Sequence, residues 1–374
     1  MTALNDLSRP GVAFISNSYP PYRVHVHRRI VRELPEIRFW SLSTHDANES
    51  TRWKDPIPDE INPVPFGTGQ STADQASPRN AIGEWRKAGA IIRWLREHHI
   101  RAVALLGYND LGRVRIIRWC RANAVPCFIA GDSNIRIDRT TGAKAWVKRR
   151  VLSALLDRCA GVLPSGSAGE AYFRRYGVPP GRIFLYPLEP DYRQISEISQ
   201  QQIDEAARQF GLQPNRRRLV FSGRFVAWKR GDLLIAAFAR IASERPEWDL
   251  LMIGDGSMRQ AWQSVLPSSL KDRVIWTGHL AEQATVSALY RASDVLVLPS
   301  EGEPWALVIN EAAAAGLAIV SSSDPGAAVE LVRDGVNGRI FPPGDTDALV
   351  QCLLDVTDRD QIGRMKAASS QVLA

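Results

Sequence analysis

Short aliphatic or β-branched runs alternate with amphipathic stretches along the whole chain. In the first half the runs Val12–Ser16, Ile37–Leu42, Ala102–Leu106, Cys127–Ala130, Gly161–Pro164 and Arg182–Tyr186 predict strands, since brief apolar runs bounded by turn formers suit a buried sheet. Helical spacing of apolar positions predicts helices over Arg23–Glu33, Ile82–His98, Leu111–Asn123, Ala143–Cys159 and Gly169–Tyr176. In the second half strands are expected at Leu219–Ser222, Asp249–Ile253, Val274–Thr277, Val295–Pro299, Ala318–Ser321 and Gly338–Phe341. Helices are expected there at Gly231–Glu244, Ser257–Val265, Glu282–Ala292, Leu307–Ala315, Ala327–Asp334 and Asp345–Thr357. Residues 44–80, rich in Pro, Ser, Thr, Asp and Asn, read as a long irregular excursion.

Strand–helix alternation at this spacing predicts parallel sheets with helices on both faces. The polar stretch Ile195–Arg218 interrupts the rhythm and sets a domain boundary near residue 190, with a connecting helix before the second sheet. A length of 374 residues suits two domains, 1–190 and 191–374. The expected class is α/β, two Rossmann-like doubly wound domains facing across a cleft, with ligands at the carboxyl ends of the strands.

That rule directs attention to the residues following each strand of the second half. After Ser222 come Gly223 and Arg224, then Lys229-Arg230-Gly231-Asp232. An Arg fork, a Lys charge and a permissive glycine can cradle a diphosphate without a metal, or can simply be solvated loop cations. Gly254-Asp255-Gly256 resembles the start of a dinucleotide fingerprint, but Arg259 stands where the third glycine is needed. The strongest signal runs from Ser300 to Gly316: Glu303 lies in a loop, Pro304 opens a helix, and Glu311 follows a little over one turn inside it. Both acids then address one end of the sheet, and the free N–H groups of the helix start face phosphate oxygens. The alternative is two exposed glutamates beside a helix N-terminus, which its dipole favours.

In combination these motifs resemble family 4 of the glycosyltransferases, the retaining group with the GT-B fold. The matching pieces are Phe221-Ser222-Gly223-Arg224 with Lys229 and Asp232, Ile253–Gly256, Val274–Gly278, Ala292–Val295, Glu303 with Glu311, Asp334-Gly335 with Asn337-Gly338, and Pro343–Asp345. They span roughly residues 219–350. The resemblance implies that Arg224 and Lys229 hold the diphosphate as it leaves, with Glu303 positioning the donor sugar. Glu311 would receive the ribose hydroxyls. Gly223, Gly254, Gly278 and His279, and the backbone near Trp305, Ala306 and Leu307, would complete the donor site. It implies a metal-independent, retaining hexosyltransferase without a cofactor. Such an enzyme moves a sugar from a nucleotide-diphosphate-sugar to a hydroxyl acceptor in cell-envelope polysaccharide or glycolipid synthesis. A GT-B nucleotide-sugar epimerase and a non-catalytic nucleotide-sugar-binding subunit are the other classes compatible with these motifs. Three departures from the family pattern stand out. Ala306 replaces a usual glycine; Asn17–Arg23 replaces a Gly-rich loop; and the chain reaches Ala374 where relatives continue into a helix crossing back to the first domain.

The first domain is expected to bind the saccharide, lipid-linked or small-molecule acceptor. Candidates are Tyr22, Arg23 and Asp132, with Tyr19, Tyr108, Asn109 and Ser133 beside them. Asp132 is either a contact for an acceptor hydroxyl or a turn cap. His25, His27, His98 and His99 lack ligand spacing and read as surface residues.

Charge changes the picture in one respect. The net +7 divides into 28 Lys and Arg against 17 Asp and Glu in residues 1–190, and 19 against 23 in the rest. A basic first domain suits an anionic partner. Lys144–Cys159 places Val147, Val151 and Leu155 on one face beside Lys148, Arg149 and Arg150. It is either an interfacial helix on an anionic membrane or, as the preferred reading, a helix packed on the sheet with a solvated basic face. No nucleic-acid-reading motif accompanies the charge. No apolar run reaches the roughly 20 residues a membrane span needs. Met1–Pro10 lacks the apolar core of a secretion signal, and Cys120, Cys127, Cys159 and Cys352 show neither disulfide nor metal spacing. The expected location is therefore cytoplasmic, with peripheral contact at the inner face of the membrane left open.

Overall fold

The computed structural model describes residues 9–45, 56–72, 75 and 77–373. They form two compact units that divide between Pro190 and Asp191.

The first unit holds one parallel sheet: β1 (Gly11–Ser16), β2 (Arg38–Ser43), β3 (Pro63–Pro65), β4 (Ile100–Leu106), β5 (Cys127–Gly131) and β6 (Gly161–Pro164), in the order β3-β2-β1-β4-β5-β6. Ala13, Ile15, Val103, Leu105 and Ile129 are fully buried. Burial on both faces is why these strands read as unbroken apolar runs rather than alternating ones. Helices Pro21–Glu33, Ala81–Glu97, Leu111–Ala122, Gly142–Leu156 and Gly166–Arg175 cover the sheet.

Two expectations change here. Arg182–Tyr186 is not a strand. The Ile183 amide closes a 3-10 turn onto Pro180, leaving a single bridge, Val162 to Ile183, plus amide bonds from Phe184 and Tyr186 to β6. The excursion 44–80 contains an unforeseen strand, β3, whose sequence Pro-Val-Pro is tolerated because it lies at the sheet edge. Residues 46–55, 73, 74 and 76 of that excursion, and Met1 to Ser8, lie outside the described residues.

The second unit repeats the plan with β7 (Arg217–Ser222), β8 (Trp248–Ile253), β9 (Val274–Gly278), β10 (Val295–Leu298), β11 (Ala318–Ser322) and β12 (Gly338–Phe341), ordered β12-β11-β10-β7-β8-β9. Its core includes Phe221, Phe225, Phe238, Trp248 and Trp262. Gly231 opens the helix Gly231–Ile241 against Trp262, where a Cβ would sit 2.5 Å from the indole. The connecting helix is Gln200–Gln209, started by a capping box between Ser199 and Gln202. The helix expected at Ala327–Asp334 is shorter, Gly326–Leu331, because the Asn337 side chain takes the Arg333 amide and donates to the Leu331 carbonyl. Among the described residues no helix is long and apolar enough to cross a membrane.

Candidate active site

In the second unit β7 and β10 are adjacent, pairing Leu219 with Val295 and Val220 with Leu296. The strand order reverses between them, the place where open α/β sheets receive ligands. The loops leaving these strands are tied together by the Glu301 amide, which donates to the Trp228 carbonyl at 2.7 Å, and by Arg230, which pairs with Glu301 and Asp232. Inside this frame the Lys229 ammonium donates to the Glu303 carboxylate, and each residue is only 8% exposed. Lys229 is therefore no solvated loop cation. The 3-10 turn Ala227–Lys229, closed by Arg230 in the left-handed region, folds it inward over the Trp228 ring, 4.8 Å from its centre. Arg224 is the opposite case: it is exposed and, among the described residues, its side chain makes no hydrogen bond or ion pair.

Glu311 lies on the helix Leu307–Ala314. One carboxylate oxygen accepts from the Tyr290 hydroxyl at 3.0 Å and the other from the Gln283 amide at 3.3 Å. Burial pushes the Glu311 carboxyl up to about 7, against the two hydrogen bonds, which favour its charged form. Tyr290 and Gln283, on the helix Gln283–Arg291 between the Val274–Gly278 and Ala292–Val295 motifs, were not legible as site residues. Neither stands in a pattern that marks it.

Ala306 precedes this helix with φ 74 and ψ 76, a left-handed conformation rarely held by alanine and natural to glycine. It caps nothing with its side chain. Among the described residues no acceptor meets the amides of Leu307 and Val308, so the first turn presents free donors. The Trp305 ring turns inward instead, its Nε1 donating to Asn310 at 3.1 Å, and Asn310 in turn donates to the Tyr192 hydroxyl. Gly302 is fixed by its amide bond to Asp324.

The glycines of these motifs allow close backbone approach. A Cβ on Gly254 would lie 2.0 Å from the Gly223 carbonyl oxygen, and the Gly254 amide donates to Gly278 at 3.1 Å. Gly223, Gly254 and Gly278 thus let three loop backbones press together behind the site. His279 stands exposed just beyond.

In the first unit the residues after β1, β4 and β5 line a cavity of about 490 Å³ that contains Tyr22, Arg23, Tyr108, Asn109, Asp132 and Ser133. Tyr19 is not part of it; its hydroxyl donates to the Ser41 carbonyl at 2.7 Å. The loop after β4 is held by Asp110, which caps the helix Leu111–Ala122, pairs with buried Arg113 and accepts from Gln75 at 2.7 Å. Arg113 also reaches Asn17 and the Leu106 carbonyl. The Asp before an apolar helical run was a visible cap signal; its ion pair was not.

Two further readings are corrected, and the cysteines, which show no disulfide spacing, are free. His27 is buried, not on the surface. Its ring packs against Phe14 and Phe39, with Nδ1 2.8 Å from the Ser41 hydroxyl, and burial lowers it to about 3, so it stays neutral. In the helix Gly142–Leu156 the core face is Leu152 and Leu156, whereas Val147 and Val151 stand exposed beside Trp146. The helix packs on the core with a solvated basic face, as preferred, and Leu155 is partly buried against that core; Val147 and Val151 do not belong to the packed face. Finally, Cys120, Cys127 and Cys159 meet in the core, where hydrogen bonding to Cys120 and Cys159 and burial push the Cys127 thiol up.

Residues 216–359 match the family model of glycosyl transferases group 1. An uncharacterised glycosyltransferase of Methanocaldococcus jannaschii is 32% identical over 143 residues, covering 38% of this chain and 36% of the relative. The phosphatidyl-myo-inositol mannosyltransferase of Mycolicibacterium smegmatis is 29% identical over 160 residues, 42% of this chain and 40% of that protein. The chain thus spans less than half the length of these relatives. Among solved structures, sucrose-phosphate synthase from Thermosynechococcus elongatus superposes with a TM-score of 0.75 at 17% identity, covering 98% of this chain and 94% of that one. Anabaena HepE in complex with UDP and glucose gives 0.70 at 17% identity, covering 97% and 94%. The chain has the GT-B fold of these glycosyltransferase structures, and its similarity to the glycosyl transferases group 1 lies in the unit that carries Lys229, Glu303 and Glu311.

Proposed function

We propose that this protein is a retaining, metal-independent glycosyltransferase of the family 4 type. It would move a hexose from a nucleotide-diphosphate-sugar to a hydroxyl acceptor in envelope polysaccharide or glycolipid synthesis. The observation that carries the reading is the meeting of Lys229 and Glu303 at the β7–β10 switch, with Arg224 and Glu311 on the same two loop–helix segments. Cleavage of a sugar–phosphate bond leaves a diphosphate with added charge, and preorganised cations and amide dipoles stabilise charge where it develops. Arg224 is unengaged and supplies a bidentate fork; Lys229 is fixed; the uncapped start of the helix at Leu307 adds backbone donors. A diphosphate arriving beside the pair competes with Glu303 for the Lys229 ammonium, and the carboxylate so released can accept from sugar hydroxyls. Glu311, flanked by Tyr290 and Gln283, is placed to accept from ribose hydroxyls. No metal or other cofactor enters this scheme. The relatives support the substrate class: HepE was solved with UDP and glucose, and a lipopolysaccharide core mannosyltransferase of Rhizobium meliloti is 30% identical over 178 residues.

The enzyme would work at the cytoplasmic face of an anionic membrane, held peripherally by its first unit. Trp146 and Val151 are 63% and 65% exposed on the helix Gly142–Leu156, with Lys144, Arg149 and Arg150 exposed around them. Flotation with phosphatidylglycerol vesicles should carry the protein upward and lose it for Trp146→Ser with Val151→Ser; absence of association removes this part.

The activity test is a panel of nucleotide-sugars screened by thermal shift, followed by transfer to saccharide and lipid acceptors with the product anomer read by NMR. One donor should raise the melting temperature and give a product of unchanged anomeric configuration in the presence of EDTA. An inverted product or a strict metal requirement refutes the mechanism. If no donor binds and no sugar is transferred, the assignment itself fails.

A further inference from the structure

The first unit's cavity contains an electrostatic imbalance. Arg23 lines it, is only 8% exposed, and has no carboxylate within ion-pair distance among the described residues. The one hydrogen bond of its side chain runs from Nη1 to the Ser18 carbonyl at 3.1 Å, and its guanidinium stands 5.5 Å from the Tyr22 ring centre. None of its nitrogens is among the sealed, unpartnered side-chain atoms, so the remaining donors open on the cavity. A buried cation is ordinarily paired, because removing it from water costs several kcal/mol. Asp110, which leads into the helix after β4, is taken by Arg113 and Gln75.

The backbone adds to this. Arg23 sits in the first turn of the helix Pro21–Glu33, which has no side-chain cap and no acidic residue in that turn. It follows β1 at the reversal of strand order, between β1 and β4. Positive dipole, fork and switch point all favour an oxyanion. Asp132 is the sole carboxylate among the described lining residues and follows β5, two strands from β1.

We infer that the acceptor carries a phosphate, received by the Arg23 guanidinium at the dipole-positive end of its helix, while Asp132 marks the end that faces hydroxyl groups. This deepens the glycosyltransferase reading and rests on it for the word acceptor; the anion site itself does not. The acceptor class is then a phosphorylated sugar or polyol, free or as a lipid headgroup.

The test titrates the full chain with inorganic phosphate and glycerol 3-phosphate by calorimetry, against chloride at matched ionic strength. A parallel titration with UDP reports on the second unit. Wild type should bind phosphate; Arg23→Gln should weaken it at least tenfold, Arg23→Lys less, and Asp132→Asn less than twofold. UDP binding by Arg23→Gln should be unchanged, which also shows that the variant is folded. Equal phosphate binding by wild type and Arg23→Gln, or none by either, overturns the anion site whatever UDP does. Arg23-dependent phosphate binding, with no nucleotide-sugar of the donor panel bound and no sugar transferred, keeps the site and overturns the glycosyltransferase reading. Tighter binding of glycerol 3-phosphate than of short-chain phosphatidylglycerol identifies a free monoester, and the reverse order a lipid headgroup.

Discussion

The two units share one strand order yet distribute charge in opposite ways at the same topological point. In the second unit the cation that follows the first strand, Lys229, is held by an acid from the loop after the neighbouring strand, Glu303. In the first unit the corresponding acid, Asp110, is taken by Arg113 three residues along its own helix, and Arg23 is left facing a cavity. Equal topology therefore does not give equal sites. Which partner the switch-point carboxylate chooses decides whether a cation is fixed and neutralised or buried and available.

Breaking the two buried ion pairs should have the largest effect. Lys229→Ala and Asp110→Asn each leave a buried charge without its partner, at about 3–5 kcal/mol. Urea unfolding should show both losses, and Lys229→Ala should in addition lower turnover roughly 100-fold or more. If Lys229→Ala unfolds like wild type, the pair is not a buried one and the contrast between the units disappears.

Next comes the pH dependence of Glu311. Its folded value of about 7 lies above the ordinary 4.5, so the folded protein keeps a proton that the unfolded chain has released. Stability then falls as pH rises from about 4.5 to about 7. Glu311→Gln should match wild type near pH 4.5 and exceed it at pH 8 by about 1–3 kcal/mol. Parallel pH profiles of melting temperature for the two proteins would show that the carboxylate is not desolvated.

A smaller effect belongs to Arg224, exposed and unengaged. Arg224→Ala should leave stability within about 0.5 kcal/mol while weakening nucleotide binding about tenfold, read by calorimetry. Smallest of all, Ala306→Gly should raise stability by up to about 1 kcal/mol, since it relieves a left-handed alanine. A clear loss of melting temperature would mean that the alanine methyl is needed where it packs.

Much of this architecture was legible in the chain. Runs such as Leu219–Ser222 and Val295–Leu298 are buried on both faces, so their apolar character betrays them without context, and the turns after them announce where ligands belong. Where local cues were weak the reading slipped. Arg182–Tyr186 has strand-like residues but spends an amide on a turn; Pro63–Pro65 looks like a loop until an edge accepts it. His27 appears polar in sequence and lies between two phenylalanines.

The sequence by itself determined the alternation, the break near residue 190, and the order of chemistry-bearing residues after each strand, because these follow from periodicity and turn chemistry over a few residues. Only the tertiary structure decided which charges meet. Lys229 and Glu303 are 74 positions apart, and Glu311 finds Gln283 and Tyr290 at 28 and 21. Such partners are chosen by the packing of loops at one sheet end, where desolvation makes each unpaired charge costly, and no local pattern encodes that choice.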